Sequence, residues 1–502
     1  MLICNLINST NNYKQNTINM KGLILIILNL IFATSFSQTV TPHSVPGEFA
    51  SDYYEVKVNG QPVQVFHAGL NVYFASFDFV GNADVKVISN YNSNSYSGQT
   101  SNKDIIKVDE KGYWGGEVNI RPLSKNIRPI LNGTDVSFSL SEAGQYSVER
   151  VGKSNFKDDV IFLFANRPDK NIPKLTAKNL IRLKAGIHHR NIDLKSGQTL
   201  YLDAGAVLFG AINVWDAKNV SILGRGTVVY YGPQSETHDD GWKNQKNWHP
   251  LTTNNVQGLT VRGVTFVGKS RTWTIQTHST FDAIFDNIKI LAVNPQNING
   301  DGIDWYGGGR AKVINSFIRS MDDCFAFFTK ESCNDMWATT KNTEGEVKNI
   351  HIENCVLWTT LANVFRIGFN GQSLTTDNIS MKNCDIIHIT KSEWYAPWSL
   401  FCMVSPNGKG KAKHSNYLFE NIRFEEPTAL FGLQNPESSF QNLILKDITM
   451  IGEPISSLIK NNTRNITFNN VILNGKLVAS EKDIPMKTGN LKIENVSYLQ
   501  KK

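Results

Sequence analysis

A short unit recurs ten times in the C-terminal part of this 502-residue chain: apolar, polar, apolar, a turn residue, then apolar, polar, apolar again. "VKNIHIENCVLW" is one copy. The turn residues are Gly226, Gly263, Asn287, Asn315, Asn354, Asn383, Asn421, Asp447, Asn470 and Asn495. A repeat of about 25 residues with two or three short strands is typical of a solenoid, because a single unit cannot bury its apolar face alone. The pattern predicts a right-handed parallel β-helix over residues 171–502.

Asparagine suits the turn position because it tolerates a left-handed backbone and forms local hydrogen bonds. Some successive turn residues lie near 38 rather than 25 residues apart, which predicts loops inserted on one face, often the binding face. One large β-sandwich is the alternative fold, but it does not explain the recurring turn residue.

The preceding residues, 38–170, alternate apolar and polar side chains in short runs. "YYEVKVNGQPVQVF" (Tyr53 to Phe66) is a candidate hairpin with Asn59-Gly60 at its turn. Seven or more such runs, with no helical periodicity, predict an antiparallel β-sandwich that serves as an accessory domain. The whole chain is therefore expected to be all-β.

The N-terminus has the features of an export signal. Lys21 precedes an apolar stretch from Leu23 to Phe36 that ends among small residues. Residues 1–37 are predicted to be a signal peptide, with Met20 a possible true start, and the protein is expected to be secreted or periplasmic. An N-terminal anchor is the alternative. No second stretch is long and apolar enough to predict a membrane span in the mature chain.

The net charge of the chain says little about its binding partners. The net charge is +7, and it becomes +5 once Lys14 and Lys21 of the signal region are removed (7 − 2). This mild excess is compatible with an anionic polysaccharide substrate, whereas the absence of a basic run argues against nucleic acid. We expect a monomer.

Four aspartates lie within the stretch from Asn299 to Phe328: Asp301, Asp304, Asp322 and Asp323. Asp301 and Asp322 are 21 residues apart, about one coil, so Asp301 is expected beside Asp322 and Asp323 on adjacent strands. Carboxylates this close raise one another's pKa, which allows one to donate a proton while another activates water. Glycoside hydrolysis requires that division of roles.

Two other interpretations of these acids stay open. Asp residues at strand ends are often solvated turn residues, and Asp304 is the clearest candidate for this. Clustered acids also bind calcium, but the chain lacks the regular aspartate repeats of calcium-binding solenoids. We therefore predict no metal and no cofactor.

Several side chains near the acids are candidates for substrate contact. Tryptophan in a polar segment is well placed to stack on a sugar ring, which selects Trp248, Trp273 and Trp305. Lys330 and Arg366 could bind hydroxyl or acidic groups. Cys324 and Cys333 are the closest cysteines in sequence after the signal region, and they are the candidate disulfide pair.

The acid motifs resemble those of a known enzyme family. Asn299-Gly300-Asp301-Gly302-Ile303-Asp304 followed by Asp322-Asp323-Cys324 is similar to the NTDGxD and DDC motifs of polygalacturonases, glycoside hydrolase family 28. The segment "VKNIHIENCVLWTTLANVFRIG" is similar to the family segment that ends in Arg-Ile-Lys, and Arg366 falls on its arginine. The resemblance assigns Asn299 and Arg366 to substrate binding.

The chain departs from the family pattern at three places. Gly300 replaces a threonine, no histidine lies between Cys324 and Val347, and Gly368 replaces the lysine. In polygalacturonases that lysine helps to bind the galacturonate carboxylate, so pectin is not the expected substrate. "NVFRIGFNG" also resembles the corresponding segment of dextranases, glycoside hydrolase family 49, which join a β-sandwich to a β-helix and use three aspartates.

The resemblance to this clan implies an inverting glycoside hydrolase. Asp322 would be the general acid, while Asp301 and Asp323 would hold and deprotonate the attacking water. The alternatives are a β-helix polysaccharide lyase, which would use calcium-bound uronate and a basic residue, and a non-catalytic glycan-binding β-helix protein.

Overall fold

The computed structural model is all-β. It describes residues 39–90, 114, 117–151, 160–170, 172–174, 176–232, 246–269, 273–293, 299–328, 346–368, 375–389, 399–403, 413–433, 436–487 and 493–500. The predicted signal region thus lies outside the described residues. No helix among them is long and apolar enough to cross a membrane.

Ten strands of the N-terminal part form one mixed, mainly antiparallel sheet, in which only the β10–β4 pair is parallel. One core cluster, from Tyr54 to Ala165, draws residues from β2 to β10, so these strands enclose a common interior. The strands are β1 (Thr39–Pro42), β2 (Ala50–Val58), β3 (Gln61–Gly69), β4 (Val72–Val80), β5 (Ala83–Ser89), β6 (Val118–Arg121), β7 (Ile130–Asn132), β8 (Asp135–Leu140), β9 (Gly144–Arg150) and β10 (Val160–Asn166).

The other 26 strands form a sheet that winds into a parallel β-helix, as the repeat predicts. They are β11 (Leu180–Leu183), β12 (Gly186–His189), β13 (Ile192–Leu194), β14 (Thr199–Leu202), β15 (Ala206–Phe209), β16 (Ile212–Gly224), β17 (Thr227–Tyr230), β18 (Leu251–Arg262), β19 (Thr265–Gly268), β20 (Ile275–Asp286), β21 (Lys289–Ala292), β22 (Ile303–Ile314), β23 (Phe317–Ser320), β24 (Phe325–Phe328), β25 (Glu346–Glu353), β26 (Val356–Thr359), β27 (Phe365–Ile367), β28 (Thr375–Ile389), β29 (Ser399–Met403), β30 (Lys413–Phe424), β31 (Ala429–Leu433), β32 (Ser439–Met450), β33 (Leu458–Ile459), β34 (Asn462–Leu473), β35 (Lys476–Leu477) and β36 (Ile493–Leu499). Short 3₁₀ turns occur at Leu123–Lys125 and Glu481–Asp483.

Eight of the ten predicted turn residues stack in one row, from Gly263 to Asn470, and all eight have positive φ. Their side chains bond from coil to coil; Asn421 Nδ2, for example, donates to Asn383 Oδ1 at 2.8 Å. The two end assignments were wrong. Strand register places Gly224, not Gly226, opposite Gly263, and Asn495 donates to Asn465 of a second row. Local sequence similarity could not separate these rows because both use asparagine.

Two faces of the coil matter for function. The front face consists of 251–254, 275–278, 303–306, β24 and β27, which stack in register. The docked face consists of β17, β19, β21, β23 and β26, whose outward apolar side chains pack against the N-terminal sheet in one cluster. Phe162 contacts Trp358 edge-on there, with ring centroids 5.7 Å apart.

Buried ion pairs also join the two sheets. Glu149 accepts from His388 Nε2 at 2.8 Å and from Arg121 Nε at 3.1 Å, and Arg121 Nη1 reaches Glu425 at 2.5 Å. The second His388 nitrogen lies 2.8 Å from Glu426. These partners fix the N-terminal sheet beside the β-helix, next to the turn that carries the acids.

Candidate active site

The acids lie where the docked face turns into the front face. Asp322 and Asp323 occupy the turn between β23 and β24, and Asp301 lies just before β22, one coil earlier. Gly302 N–H donates to the Asp323 carbonyl at 2.9 Å, so the two chain segments touch. A Cβ on Gly302 would lie 2.4 Å from the Cys324 carbonyl oxygen, so only glycine permits this approach.

The structure brings Asp301, Asp322 and Asp323 together, as one-coil spacing predicts. One carboxylate oxygen from each lies within 4.8 Å of the other two. The coil here contains 22 residues, since Ile303 pairs with Phe325. Asp301 therefore stacks on Asp323, and Asp322 lies to the side and is partly exposed.

Asp323 is held by three donors. Its Oδ1 accepts from the backbone N–H of Asn363 at 3.0 Å and from Asn363 Nδ2 at 2.9 Å, and its Oδ2 lies 3.3 Å from Arg366 Nη1. The carboxylate is completely buried, and Arg366 is 13% exposed. Hydrogen bonds to a guanidinium and to an amide fix the orientation of this carboxyl group.

The carboxyl groups of Asp301 and Asp322 have raised pKa values. Burial, then the neighbouring Asp323 carboxylate, raises the pKa of Asp322 to about 8. Burial, then the carboxylates of Asp304, Asp322 and Asp323, raises the pKa of Asp301 well above its ordinary value. The site therefore combines two carboxyl groups of raised pKa with a third that is paired to a guanidinium.

Asp304 is not a solvated turn residue, and that interpretation was wrong. It lies in β22 and is completely buried. Neither of its carboxyl oxygens has a hydrogen-bond partner in the described part of the chain. Burial and the Asp323 and Asp322 carboxylates raise its pKa well above the ordinary value. Alternation along β22 could have revealed this, because Ile303 and Trp305 point inward and leave Asp304 on the front face.

Trp305 points into the interior of the β-helix, away from the front face, so its prediction as a sugar-stacking residue is wrong. Its side chain is completely buried in the β-helix core, 5.5 Å from the Phe327 ring centroid. The polar neighbourhood in sequence was misleading because the strand alternates between faces.

Trp273 and Trp248 are both partly exposed on the front-face side. Trp273 packs against His249, Tyr306 and Phe328 at ring-centroid distances of 5.7, 5.8 and 5.9 Å. Asn299 is also partly exposed, two residues before Asp301. Lys330 lies outside the described residues.

The expected Cys324–Cys333 disulfide is not formed. Cys324 is a free, buried thiol in the β-helix core, and its sulfur lies 3.4 Å from Ser320 Oγ. Its neighbours are coils of the β-helix, which enclose it. Cys333 lies outside the described residues.

The three aspartates are also the group that could hold a cation. Calcium prefers six to eight oxygen ligands, and Asp323 already has Arg366 and Asn363 as partners. A guanidinium beside one carboxylate weakens attraction for a divalent ion, so the arrangement suits proton transfer better than metal binding.

Three polar residues near the acids were missed from the sequence. Asn363 positions Asp323, Gln276 pairs in register with Asp304 on the front face, and His249 stacks on Trp273. Burial lowers the pKa of His249 to about 4, so it is neutral at physiological pH. Each lies on a different coil, and the pairing of strands between coils brings them near the acids.

Comparisons with known proteins support the fold. Neither a protein-family model nor a curated protein sequence matches the chain. Among solved structures, the chain has the fold of Dex49A from Penicillium minioluteum, a family 49 dextranase, with a TM-score of 0.63 and 14% identity over 91% of this chain and 95% of Dex49A.

Two family 28-type structures show more distant similarity. The family 28 exopolygalacturonase of Yersinia enterocolitica has a TM-score of 0.40 and 12% identity, over 93% of this chain and 98% of that one. The polygalacturonase of Erwinia carotovora ssp. carotovora has a TM-score of 0.39 and 16% identity, over 63% and 89%. At these identities the comparisons show the fold alone, which is the β-helix architecture of Dex49A.

Proposed function

We propose that this protein is a glycoside hydrolase that cleaves O-glycosidic bonds of a polysaccharide. One observation carries the proposal: a partly exposed acid with a raised pKa, Asp322, lies within 4.8 Å of both Asp301 and the ion-paired Asp323. A proton donor beside a fixed carboxylate is the arrangement that glycosidic cleavage requires.

In the proposed reaction, Asp322 donates its proton to the glycosidic oxygen as the bond to the leaving sugar breaks. Asp323 accepts a proton from the attacking water, since Arg366 and Asn363 stabilise its negative charge. Asp301, stacked on Asp323 in the adjacent coil, orients that water. Such general acid–base catalysis contributes about 10²- to 10⁴-fold to the rate.

The family resemblance and the spacing of the carboxylates point to different stereochemical outcomes. The resemblance to family 28 implies inversion, which is our proposal. The nearest carboxylate oxygens, however, are closer than the about 6.5–9.5 Å between the carboxyl groups of most inverting pairs, and nearer the about 5–5.5 Å of retaining pairs. Proton NMR of the first product decides between them: the opposite anomer supports inversion, and the same anomer shows that Asp301 or Asp323 acts as a nucleophile.

The division of the chain follows from this proposal. Residues 171–502 would be the catalytic domain, residues 38–170 the accessory domain, and residues 1–37 a signal peptide that directs the protein to the periplasm or the medium. Mass spectrometry of the mature N-terminus after expression in a bacterial host tests the export step; an intact residue 1–37 segment would contradict it.

The test of activity is a reducing-sugar assay on a panel of polysaccharides. The wild type, Asp322→Asn and the control Asp282→Asn are compared, with and without a calcium chelator. Asp282 is an exposed aspartate on β20, paired with Arg310. We expect hydrolysis by the wild type and Asp282→Asn in the presence of chelator, and none by Asp322→Asn.

Other outcomes identify the alternatives. Products that absorb ultraviolet light and require calcium would show a lyase. Binding without cleavage by every variant would show a glycan-binding protein. Equal activity of Asp322→Asn and the wild type would contradict the role of Asp322.

A further inference from the structure

A row of mostly polar side chains runs along the front face through the coils that carry the acids. Strand register aligns Thr252, Gln276, Asp304, Ala326 and Arg366 on five successive strands. Their neighbours in sequence, such as Trp305 and Phe327, lie in the core. The aligned side chains therefore point outward, away from the β-helix interior.

This row is polar and yet buried. Thr252, Gln276 and Asp304 are each completely inaccessible to solvent. Both carboxyl oxygens of Asp304 lack a hydrogen bond within the described part of the chain. A buried polar group without a partner costs about 1–3 kcal/mol, so native proteins rarely keep one without a reason. Groups that receive a ligand are one such reason.

The surroundings of the row combine polar and aromatic side chains. Ala326 separates Asp304 from Arg366 in the row and packs in one buried cluster with Tyr306 and Phe328. Trp273 is partly exposed and lies against these two rings. Hydrogen-bonding groups next to an aromatic wall match the polar rim and apolar face of a pyranose.

The charge of the surroundings disfavours an acidic sugar. Arg366 is the one described cation that influences the pKa values of Asp301, Asp304 and Asp322, and it is already paired with Asp323. Four carboxyl groups thus face a single committed guanidinium. A uronate or sulfate here would add a negative charge without a partner.

We propose that Gln276 and Asp304 form a cradle that binds the hydroxyl groups of a neutral sugar unit adjoining the cleaved bond. The inference rests on the proposed function for its orientation toward the acids. The Asp304 carboxyl group accepts hydrogen bonds from hydroxyls, and the Gln276 amide both donates and accepts them, so the pair suits hydroxyls. The substrate class is therefore a neutral polysaccharide.

Kinetics test the cradle. Asp304→Ala is expected to raise KM for a neutral polysaccharide about tenfold or more, with a smaller change in kcat, whereas Asp304→Asn retains a hydrogen-bonding amide and keeps KM within about threefold. Asp282→Ala, on an exposed site of β20, is the control and should match the wild type. Unchanged KM in Asp304→Ala and Gln276→Ala would overturn the proposal.

Binding keeps this test separate from hydrolysis. In Asp322→Asn, calorimetry with neutral oligosaccharides should give a dissociation constant that Gln276→Ala and Asp304→Ala each raise about tenfold, with unchanged melting temperatures. If no variant hydrolyses any substrate but this loss occurs, the hydrolase proposal fails and the cradle stands. Tighter binding of oligogalacturonate than of neutral oligosaccharides would overturn the neutral class.

Discussion

Glu149 and Asp322 are carboxyl groups in two regions of the same molecule, with opposite pKa shifts. Glu149, in the buried contact between the two sheets, is surrounded by His388, Arg121 and Ser147, which hold its pKa at about 2 although burial alone would raise it. Asp322, at the edge of the front face, has other carboxyl groups as neighbours, and burial with Asp323 raises its pKa to about 8. Burial acts to raise the pKa of both groups, so the partners decide the sign of the net shift.

The two regions differ in whether their buried acids have counterions. At the contact between sheets the chain supplies a counterion for each acid discussed, which is how a buried charge is made tolerable. At the front face it places Asp301 and Asp304 in the interior without matching cations. Perturbed acids of this kind concentrate at functional sites.

The largest effect, a loss of kcat, is expected for Asp323→Asn, which disrupts the ion pair with Arg366. The substitution removes the proposed base and leaves Arg366 without its carboxylate. We expect kcat to fall about 10²- to 10⁴-fold, with the melting temperature little changed. Steady-state hydrolysis of a neutral polysaccharide measures this; a loss of less than tenfold would contradict the assignment of Asp323 as base.

The second prediction concerns the buried contact between the two sheets. Glu149→Gln removes the carboxylate that Arg121 and His388 share and leaves each cation with one counterion, Glu425 or Glu426. The free energy of unfolding should therefore fall by about 3–5 kcal/mol at pH 7. Asp304→Asn, which removes an unpaired buried acid, is the matched variant and should not destabilise the protein. Urea unfolding measures both, and equal losses would contradict the distinction.

The pH dependence of that loss follows from His388. Glu149 and Glu426 raise the pKa of His388 to about 9 against the effect of burial, from an ordinary value of 6.5. The stability contributed by this raised pKa is fully present below pH 6.5 and is lost as pH rises through about 9. The difference between wild type and Glu149→Gln should therefore shrink between pH 7 and pH 10; a constant difference would show that His388 is not protonated.

The smallest effect, on KM, is expected for Trp273, the partly exposed aromatic residue beside Gln276 and Asp304. Trp273→Ala should raise KM about tenfold, near 1.4 kcal/mol, because a sugar loses its stacking surface. Trp248→Ala tests whether the other partly exposed tryptophan shares this role. If neither substitution changes KM, the aromatic contribution to binding is wrong.

Much of the scaffold was predictable because its signals are local and repeated. The asparagine turns reveal the coils, since they share the same left-handed backbone and several of them bond to a turn residue of the adjacent coil. The convergence of Asp301 with Asp322 and Asp323 follows from coil length. Trp305 and Asp304 were misassigned because polar context was given more weight than the period-two alternation that places Trp305 inside and Asp304 outside.

Other features depend on contacts that no local pattern reveals. Glu149 and His388 are 239 residues apart in sequence, and their pairing requires the N-terminal sheet to pack on the docked face. Gln276 joins Asp304 through strand register alone. The Cys324–Cys333 expectation failed because sequence proximity does not show that Cys324 lies inside the coil.

The central claim is that Asp322 remains protonated near neutral pH because burial and the neighbouring Asp323 carboxylate raise its pKa to about 8. The pH profile of kcat/KM on a neutral polysaccharide tests it most directly. A group that must donate a proton loses activity as pH rises through its pKa, so the alkaline limb should fall near pH 8 in the wild type. A limb near pH 4, or activity that is constant to pH 10, would contradict the account.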